Sequence, residues 1–561
     1  MLLFTTVAAL RCYLRLSQLE QLSFIQDYAV NRPHSNVEAG RLTPYIGFFN
    51  QEVGLVPTMG ALHQGHLSLI QRAKQQNGIV IVSIFVNPLQ FGPTEDFQKY
   101  PRQLEHDWQL CEKVGVDAIF APTPEEIGLA VGINSSEGSL TTTVVPPESM
   151  TSVLCGRSRI GHFQGVATIV TKLLNLVQPT RAYFGQKDAQ QLAIIRRLVR
   201  DLNIPVEIVP CPIVREPSGL ALSSRNQYLT AEQKEQAAVL YRSLQKAEQA
   251  FLAGERSTKE LIAIAELELA TVPAIEPEYV ELVDTHTLMP LDKIEEVGLL
   301  AIAARLGSTR LIDNVLLRNR QPIVAIDGPA GAGKSTIARS LAQALGLLYL
   351  DTGAMYRAIA WLVLQLGISV DDQPAVAEIA SKCKIELKQS EDTTFDGTSG
   401  ESSLKSAPVL RVWINGQEVT QAIRSSEVTS HVSAIAAQKA VRSELVKQQQ
   451  LWGETGGIVV EGRDIGTHVF PDAELKIYLT ASVEERAKRR QQDLKNQGEK
   501  SLSLEEMQQT LSERDWKDST RDIAPLQKAP DAIEINTDSL SIAEVTARIV
   551  SLYQERVGVQ N

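Results

Sequence analysis

The sequence predicts an α/β protein with two separate sheet domains, and two observations lead to that prediction. From residue 53 onward, short apolar runs alternate with segments of helical periodicity, which is typical of a parallel sheet with crossover helices. Later in the chain, the apolar run 323–326 leads into the glycine-rich stretch 328–335 and then into a helix-like segment. A strand that starts near residue 323 leaves about 320 residues before it, which is enough for a separate core.

The first half supplies three short strands and two helices in alternation. The apolar runs 53–56, 79–86 and 118–120 predict the strands, and the periodic segments near 67–75 and 104–114 predict the helices. Because ligands bind beyond the carboxyl ends of parallel strands, we expect a site in the stretch that follows the first of these strands.

A second, smaller group of elements follows residue 226. Thr230 and Gln233 predict a capping box at a helix start. Two helices and then three strands are predicted after it, at 231–253, 258–270, 279–283, 299–304 and 309–315. We expect these elements to form a small α+β lobe that acts as a lid on the preceding domain.

The polar segment 318–322 is short and predicts a junction between two domains. The predicted boundaries are 1–226 for the first domain, 227–318 for its small lobe, 319–321 for the junction and 322–561 for the second domain.

Composition excludes several classes of protein. Lys plus Arg number 55 against 66 Asp plus Glu, and the net charge of −11 gives no footprint for nucleic acid or an anionic membrane. The five cysteines are scattered without C-x-x-C spacing, which indicates reduced thiols in a cytoplasmic protein. The apolar opening, residues 1–10, lacks a basic region and predicts a first strand rather than a signal peptide. No apolar run approaches the length of a membrane span.

The glycine-rich stretch Gly328 to Ser335 satisfies G-x-x-x-x-G-K-[ST] between a predicted strand and a predicted helix. In that context it predicts a phosphate-binding loop, because its backbone N–H groups surround phosphate oxygens, Lys334 reaches the β- and γ-phosphates and Ser335 can ligate Mg²⁺. An ordinary glycine-rich turn is the alternative, but strand, loop, Lys, hydroxyl and helix all fall in order. The residues expected to bind ATP here are Gly328, Gly331, Gly333, Lys334, Ser335 and Thr336.

In the first half, the stretch from Pro57 to His66 ends in two histidines at a helix start. His63 and His66 are three residues apart, so both imidazoles can lie on one face near unpaired N–H groups that favour anions. Such a pair can bind a nucleotide triphosphate and stabilise the charge of leaving pyrophosphate. A zinc pair or two surface histidines are the alternatives, although the sequence offers no further cluster of metal-like ligands. H-x-G-H alone indicates only the wide nucleotidyltransferase class, which includes class I aminoacyl-tRNA synthetases.

Taken whole, the first half resembles pantoate–β-alanine ligase, also called pantothenate synthetase. Residues 57–66 read P-T-M-G-A-L-H-Q-G-H, and further blocks follow in the order of that family. They are V-S-I-F-V-N-P-L-Q-F at 82–91, G-H-F-Q-G-V and its continuation at 161–179, F-G-Q-K-D-A-Q-Q at 184–191 and L-S-S-R-N at 222–226. The resemblance covers nearly all of residues 1–318 and implies a Rossmann-like nucleotidyltransferase domain.

The resemblance implies a role for each block. His66 takes the position of the proton donor, His63 lies beside the phosphates, and Lys187 clamps the α-phosphate. Gln90 and Gln191 would bind pantoate and the β-alanine that follows it. The implied ATP-binding residues are Met59, Gly60, Ala61, Leu62, His63, Gln64, Gly65, His66, Gly185, Gln186, Lys187, Asp188, Val214, Leu222, Ser223, Ser224 and Arg225.

Two displacements at one pocket are the chemistry that this resemblance implies. The pantoate carboxylate attacks the α-phosphorus of Mg²⁺-bound ATP and releases pyrophosphate, and the amine of β-alanine then attacks the pantoyl adenylate. Arg225 belongs to the catalytic set with the two histidines and Lys187, since a guanidinium can bind two phosphate oxygens at once. The sequence departs from the family pattern at an insertion-like segment, 31–50, and at R-S-R-I, 157–160, where a proline is expected before the following glycine.

The second half resembles cytidylate kinase from residue 322 to about residue 553. L-D-T-G-A-M-Y-R at 350–357, N-G-Q-E-V-T at 415–420, G-R-D-I-G-T-H-V-F-P-D-A at 462–473 and S-E-R-D-W-K-D-S-T-R at 512–521 carry the resemblance. A GTPase would require an N-K-x-D motif downstream, and the sequence has none. The fold implied is that of a P-loop nucleoside-monophosphate kinase.

The kinase resemblance also implies site residues. Those expected to bind CMP are Thr352, Arg357, Ser433, Arg442, Arg463, Asp464 and Arg514. Arg514 and Arg521, seven residues apart, would converge on the transferring phosphoryl group together with Lys334. For the arginine-rich segment 486–490, a lid and a solvated helix face both remain open. The segment 391–406 is expected to be a flexible insertion in the CMP-binding lobe.

We therefore expect a bifunctional cytoplasmic enzyme that uses ATP, with Mg²⁺, on pantoate and β-alanine in one half and on CMP or dCMP in the other. Its partners would be small molecules, with neither nucleic acid nor membrane, and the ligase family implies a homodimer through the first half. One alternative makes the first half an adenylyltransferase for another carboxylate, a nucleotide or tRNA. The other makes one half a degenerate nucleotide-binding scaffold.

Overall fold

The computed structural model describes residues 1–17, 52–92, 97–129, 141–390, 409–496, 503–520 and 524–557. The insertion-like segment 31–50 and the insertion 391–406 therefore lie outside the described residues. The chain divides into two compact units, Met1–Asn319 and Arg320–Asn561.

The first unit contains a six-stranded sheet in which every pairing is parallel. Its strands are β1 (Leu2–Phe4), β2 (Val53–Thr58), β3 (Ile79–Ile84), β4 (Ala118–Phe120), β5 (Arg181–Gly185) and β6 (Glu207–Cys211). They lie in the order β1-β4-β3-β2-β5-β6, so the predicted parallel sheet is confirmed. The strand expected in residues 1–10 is confirmed for Leu2–Phe4 only, since residues 7–17 are helical.

Helices cover both faces of this sheet and connect its strands. They are α1 (Gln64–Gln76), α2 (Leu104–Lys113), α3 (Glu148–Thr151), α4 (Cys155–Ser158), α5 (His162–Val177) and α6 (Ala189–Asp201). Leu55, Ile81 and Phe120 are fully buried in the core that the sheet forms with α5 and α6. α1 starts three residues before the predicted position, because the sequence signal marks the first apolar residue of the helix and not its cap.

The small lobe of the first unit packs three helices on a three-stranded antiparallel sheet. Its elements are α7 (Ala231–Ala237), α8 (Val239–Leu252), α9 (Thr258–Leu269), β7 (Ile275–Val283), β8 (Val297–Leu306) and β9 (Thr309–Arg318). The capping box of Thr230 and Gln233 is confirmed. The single helix expected over 231–253 is two helices, because the Ala238 N–H is shared between the carbonyls of Lys234 and Gln236 at the end of α7.

The second unit is built on a five-stranded parallel sheet. Its strands are β10 (Ile323–Asp327), β11 (Leu348–Asp351), β15 (Ile458–Glu461), β16 (Leu475–Thr480) and β17 (Ile533–Asn536), and they lie in the order β11-β15-β10-β16-β17. A separate antiparallel sheet consists of β12 (Ile385–Ser390), β13 (Val409–Ile414) and β14 (Gln417–Glu418).

Eight helices of the described residues accompany these sheets. They are α10 (Lys334–Leu345), α11 (Thr352–Gln365), α12 (Gln373–Lys382), α13 (Ser426–Ala437), α14 (Lys439–Gly453), α15 (Val483–Asn496), α16 (Leu504–Thr520) and α17 (Ile542–Val557). Within the described part of the chain, none of the helices combines the length and the apolar character that a membrane crossing requires.

Candidate active sites

The first candidate site lies where β2 ends and α1 begins. His63 caps α1, since its Nδ1 accepts the N–H of Gly65 at 3.1 Å. The N–H of His63 in turn donates to Nδ1 of His66 at 3.4 Å, and the centroids of the two imidazole rings are 4.1 Å apart. Because both Nδ1 atoms accept, each neutral ring carries its proton on Nε2 and donates from there.

Both imidazoles are uncharged at neutral pH. Burial and then the charge of Lys187 lower the pKa of His63 from 6.5 to about 4, although Asp188 opposes the shift. Burial, His63 and Lys187, in that order, lower the pKa of His66 to about 3. The pair therefore offers N–H donors to an anion, and the nearby positive charge comes from Lys187.

A cavity of about 80 Å³ collects side chains from three separate blocks of the sequence. Lys187 and Gln191 line it from the turn after β5 and from α6, and Ser223 and Arg225 line it from the loop that precedes the small lobe. Asp188 lines it as well, so the structure brings five of the expected residues to one cavity. Of the remaining residues of the two ATP segments, 59–62 lie in the turn after β2, Gln64 and Gly65 lie in α1, and Gly185 and Gln186 lie at the end of β5 and directly after it.

Hydrogen bonds connect other expected residues of this site. The amide Nε2 of Gln90 donates to Sδ of Met59 at 2.7 Å, which places a residue expected to bind pantoate against one expected to bind ATP. The N–H of Leu222 donates to the carbonyl of Val214 at 2.9 Å, so these two residues also lie together. The hydroxyls of Ser224 and Tyr100 are 3.4 Å apart.

Sequence reasoning gave no role to three residues that the structure places at this site. His162 and Arg159 line the cavity; Nδ1 of His162 is 2.7 Å from the carbonyl of Gln90, and Nε2 is 3.0 Å from Nη1 of Arg159. Nδ2 of Asn314 in β9 donates to the carbonyl of Lys187 at 2.9 Å. His162 stands in the G-H-F-Q-G-V block and could have been found there, whereas an asparagine in a distant strand gives no signal.

The second candidate site is the loop between β10 and α10. Gly328 has φ +149°, and a Cβ there would lie 2.2 Å from the carbonyl oxygen of Leu479, so only glycine fits. Nζ of the buried Lys334 donates to the carbonyl of Pro329 at 2.7 Å. Desolvation, followed by repulsion from Arg463, lowers the pKa of Lys334 well below its usual value.

A buried carboxylate faces the hydroxyl of the phosphate loop. Ser335 Oγ donates to Oε2 of Glu461, at the end of β15, at 2.8 Å. Burial and then the charge of Asp351 raise the pKa of Glu461, while Lys334 opposes the shift. Glu461 was missed, although an acidic residue that ends the apolar run 458–460 is a recognisable signal. Together the two side chains form an oxygen donor pair of the kind that Mg²⁺ binds beside nucleotide phosphates.

The described residues contain no group of three or more His, Cys, Asp or Glu side chains arranged to hold a metal ion. The pair formed by Ser335 and Glu461 would therefore need ligands from the nucleotide and water, which is the usual arrangement for Mg²⁺.

Three arginines expected to bind CMP are held by carboxylates. Arg357 Nη2 donates to Asp351 at 2.7 Å and Arg463 Nε to Asp518 at 2.9 Å. The third pair, Arg442 with Asp464, joins two residues that were both expected at the CMP site and are almost fully buried. Thr352 is buried as well, and its hydroxyl donates to the carbonyl of Glu461 at 2.8 Å.

Arg514, on α16, lies among further cations. Desolvation, then repulsion from Arg463, and more weakly from Arg490 and Arg357, lowers the pKa of Arg514. Four guanidinium groups therefore lie near one another in the second unit, with Asp518 as an opposing negative charge. Arg521 and the shared helical face expected for it lie outside the described residues, and Ser433 is exposed on α13.

For the segment 486–490, the solvated-face alternative is wrong at Arg486. This side chain is buried, donates to the carbonyl of Ala330 in the phosphate loop at 3.0 Å and pairs with Asp515 of α16 at 2.6 Å. Arg490, in contrast, is exposed.

The folds and sites define a class: an ATP-using nucleotidyltransferase-type domain followed by a P-loop nucleoside-monophosphate kinase domain. The family model for pantoate-beta-alanine ligase matches residues 41–316, and that for cytidylate kinase matches residues 324–555. A relative from Nostoc sp. is 62% identical over 557 residues, which cover 99% of each chain, and one from Trichodesmium erythraeum is 55% identical over 99% of this chain and 98% of its own. Both are named bifunctional pantoate ligase/cytidylate kinase. The crystal structure of pantothenate synthetase from Thermus thermophilus is 42% identical and covers 56% of this chain and 99% of its own, with a TM-score of 0.46.

The chain belongs to the bifunctional pantoate ligase/cytidylate kinase family. It is a pantoate–β-alanine ligase and a cytidylate kinase in one polypeptide, and both activities use ATP and small-molecule substrates. The expected bifunctional enzyme is thus confirmed. The alternatives of an adenylyltransferase for another substrate and of a degenerate scaffold are wrong.

In the substrate-free protein, we predict that the imidazoles of His63 and His66 remain neutral until the pH falls to about 4 and about 3, respectively. Between 6.5 and these values the unfolded chain binds protons that the folded chain does not, so the stability of the first unit should decrease as the pH falls through this window. NMR titration of the ring protons measures the pKa values, with His66→Asn as the assignment control. Inflections near 6.5 in the folded protein would contradict the buried, neutral pair.

Proposed function

We propose that the first unit joins pantoate to β-alanine through pantoyl adenylate at the 80 Å³ cavity. The observation that carries this proposal is the convergence of Lys187, Gln191, Ser223 and Arg225 on that cavity. In the first step, a pantoate oxygen forms a bond to the α-phosphorus of ATP and the bond to pyrophosphate breaks. In the second, the amine of β-alanine forms the amide bond, loses a proton, and AMP leaves with the electron pair of the anhydride bond.

The proposed division of labour follows from the charges of the side chains. Lys187 and Arg225 supply positive charge to the α-phosphate and to leaving pyrophosphate. His63 and His66 supply Nε2–H donors, because their pKa values of about 4 and about 3 keep them uncharged. His66 thus acts as a neutral hydrogen-bond donor during adenylation. Gln90 and Gln191 orient pantoate, for which an amide that both donates and accepts is suited.

The other residues that complete this proposed site lie between β2 and the first turn of α1, at the end of β5 and just after it, and in the loop before the small lobe. They are Met59, Gly60, Ala61, Leu62, Gln64, Gly65, Gly185, Gln186, Asp188, Val214, Leu222, Ser223 and Ser224. We assign the ligase to residues 1–318, with 227–318 as a lobe that covers the nucleotide, and the kinase to residues 322–561 after the junction 319–321.

In the second unit, we propose that the loop from Gly328 to Thr336 binds the phosphates of ATP and that CMP or dCMP accepts the γ-phosphoryl group. An oxygen of the acceptor phosphate forms a bond to the γ-phosphorus as the bond to ADP breaks. The dispersed negative charge of this group is matched by Lys334 and by the arginines that surround Arg514. Arg442 and Arg521 complete the set, with Thr352, Ser433 and Asp464 as polar contacts to CMP.

Ser335 and Glu461 would hold Mg²⁺ against the ATP phosphates, since they present oxygen ligands 2.8 Å apart at the phosphate loop. A bound Mg²⁺ supplies positive charge that neutralises phosphate oxygens. We further propose that the protein works in the cytoplasm on small molecules, without nucleic acid or membrane partners, and forms a homodimer through the ligase half.

The two active sites should be separable by substitution. We predict that Lys334→Ala abolishes CMP-dependent ADP release and leaves pantoate-dependent ATP–pyrophosphate exchange intact, and that His66→Ala has the opposite effect. The reason is that each side chain acts on the ATP of its own half. Loss of both activities in either folded variant would refute the assignment of the sites.

A metal-binding role of Ser335 should appear in the Mg²⁺ dependence of the kinase. We predict that Ser335→Ala raises the Mg²⁺ concentration for half-maximal CMP phosphorylation about tenfold, because one metal ligand is lost. Ser541→Ala, which removes a hydroxyl that caps α17, is the matched control and should leave this concentration unchanged. An unaltered Mg²⁺ dependence of the Ser335 variant would exclude the metal role.

The proposed homodimer predicts a particle of twice the chain mass. Sedimentation equilibrium of the full chain measures this directly, and a chain that stays monomeric across the concentration range at which it is active would rule the dimer out.

A further inference from the structure

A buried carboxylate stands behind the first nucleotide loop of the ligase. Asp107 lies in the first turn of α2 and is fully inaccessible to solvent. Its Oδ2 accepts the N–H of Ala61 at 2.9 Å and its Oδ1 accepts the N–H of Leu62 at 2.8 Å. The two oxygens of one side chain thus hold two successive peptide groups of the loop between β2 and α1.

The backbone of this loop is strained where the carboxylate binds it. Gly60 has φ +81° and Ala61 has φ +51°, a left-handed conformation that costs a non-glycine residue about 1 kcal/mol or more. The turn at these two residues brings the N–H groups of Ala61 and Leu62 to one carboxylate, while the N–H of Gly60 donates to Oγ1 of Thr58 at 3.2 Å. A Cβ on Gly60 would lie 2.9 Å from Oδ2 of Asp107, so the loop closes around the carboxylate.

This arrangement determines which N–H groups of the loop remain available to bind ATP. The N–H groups of Ala61 and Leu62 are occupied by Asp107, so they are not the groups that bind phosphate. His63 follows Leu62 directly and is the N-cap of α1. The peptide groups that Asp107 holds therefore fix the start of the helix on which both imidazoles stand.

We propose that Asp107 is a positioning residue for the ATP-dependent step of the ligase. It holds the strained loop in one conformation before ATP arrives, and thereby directs the Nε2–H groups of His63 and His66 towards the site of the phosphates. This inference rests on the proposed adenylation of pantoate by ATP. A carboxylate that only stabilises the fold would affect all substrates alike, whereas a positioning residue affects ATP selectively.

The test uses Asp107→Asn in the full-length protein, which keeps the side-chain shape but places an NH₂ group against a backbone N–H. We expect the KM for ATP in pantothenate formation to rise about tenfold or more, while the KM for β-alanine stays within about twofold. At the ATP loop alone, one hydrogen bond is replaced by an N–H facing an NH₂ group, and the other no longer goes to a charged acceptor. Pantoate-dependent ATP–pyrophosphate exchange without β-alanine should slow correspondingly.

Asp117→Asn is the matched control. Asp117 precedes β4 and so lies at the amino ends of the strands, whereas the loop follows the carboxyl end of β2. Its Oδ2 likewise accepts a backbone N–H, that of Val80, at 2.7 Å. We expect it to leave both KM values as in the wild type. The CMP kinase activity of each variant reports on the amount of intact chain, since it belongs to the other half.

A uniform decrease in kcat with both KM values unchanged would overturn the proposal, as would an unchanged KM for ATP in folded Asp107→Asn. If that variant does not fold, Gly60→Ala is the alternative, because it disturbs the same contact from the side of the loop. We expect Gly60→Ala to raise the KM for ATP and to leave the KM for β-alanine unchanged. A wild-type KM for ATP in folded Gly60→Ala would overturn the proposal equally. Absence of pantoate-dependent exchange in the wild type would instead refute the proposed adenylation, so the two failures are distinguishable.

Discussion

In each half of the chain, a buried aspartate binds two successive backbone N–H groups of a substrate loop. Asp107 holds Ala61 and Leu62 in the ligase, and Asp327, at the end of β10, accepts the N–H groups of Ile465 at 2.8 Å and Gly466 at 2.7 Å in the kinase. An unpaired carboxylate would be costly to bury, but a carboxylate with two N–H donors is compensated. The loops are therefore shaped by the protein itself before a nucleotide binds.

The electrostatics of the two sites also show that protein groups hold each other in place before a nucleotide binds. Desolvation raises the pKa of Asp327 to about 6, although its two backbone hydrogen bonds oppose the shift. In the kinase, carboxylates hold three arginines in place, namely Arg357, Arg442 and Arg463. Each carboxylate orders its guanidinium group but also competes with a substrate phosphate for it. In the ligase, the histidines are neutral and the positive charge is left to lysine and arginine. In both halves, the side chains that donate hydrogen bonds to the nucleotide are thus held in place by other protein groups.

Much of the architecture could be predicted from the sequence, because strands, the phosphate loop and the α1 histidines carry local patterns. The parallel sheet of the first unit, the capping box at Thr230 and the strand before Gly328 are examples. What escaped prediction acts over long distances in the chain. Asp107 binds a loop 45 residues away through backbone atoms, and an acid in the first turn of a helix already has an ordinary explanation there. The start of α1 was placed too late for a related reason, since a histidine cap has no apolar signature.

Asp107 should hold the loop between β2 and α1 in the same conformation with and without nucleotide. The most direct test is a crystal structure of the full chain with an ATP analogue that cannot be cleaved between its α- and β-phosphates. We predict that the carboxylate of Asp107 still binds the N–H groups of Ala61 and Leu62 there, with the phosphates beside Nε2 of His63 and His66. A structure in which those two N–H groups leave Asp107 and bind a phosphate oxygen would contradict it.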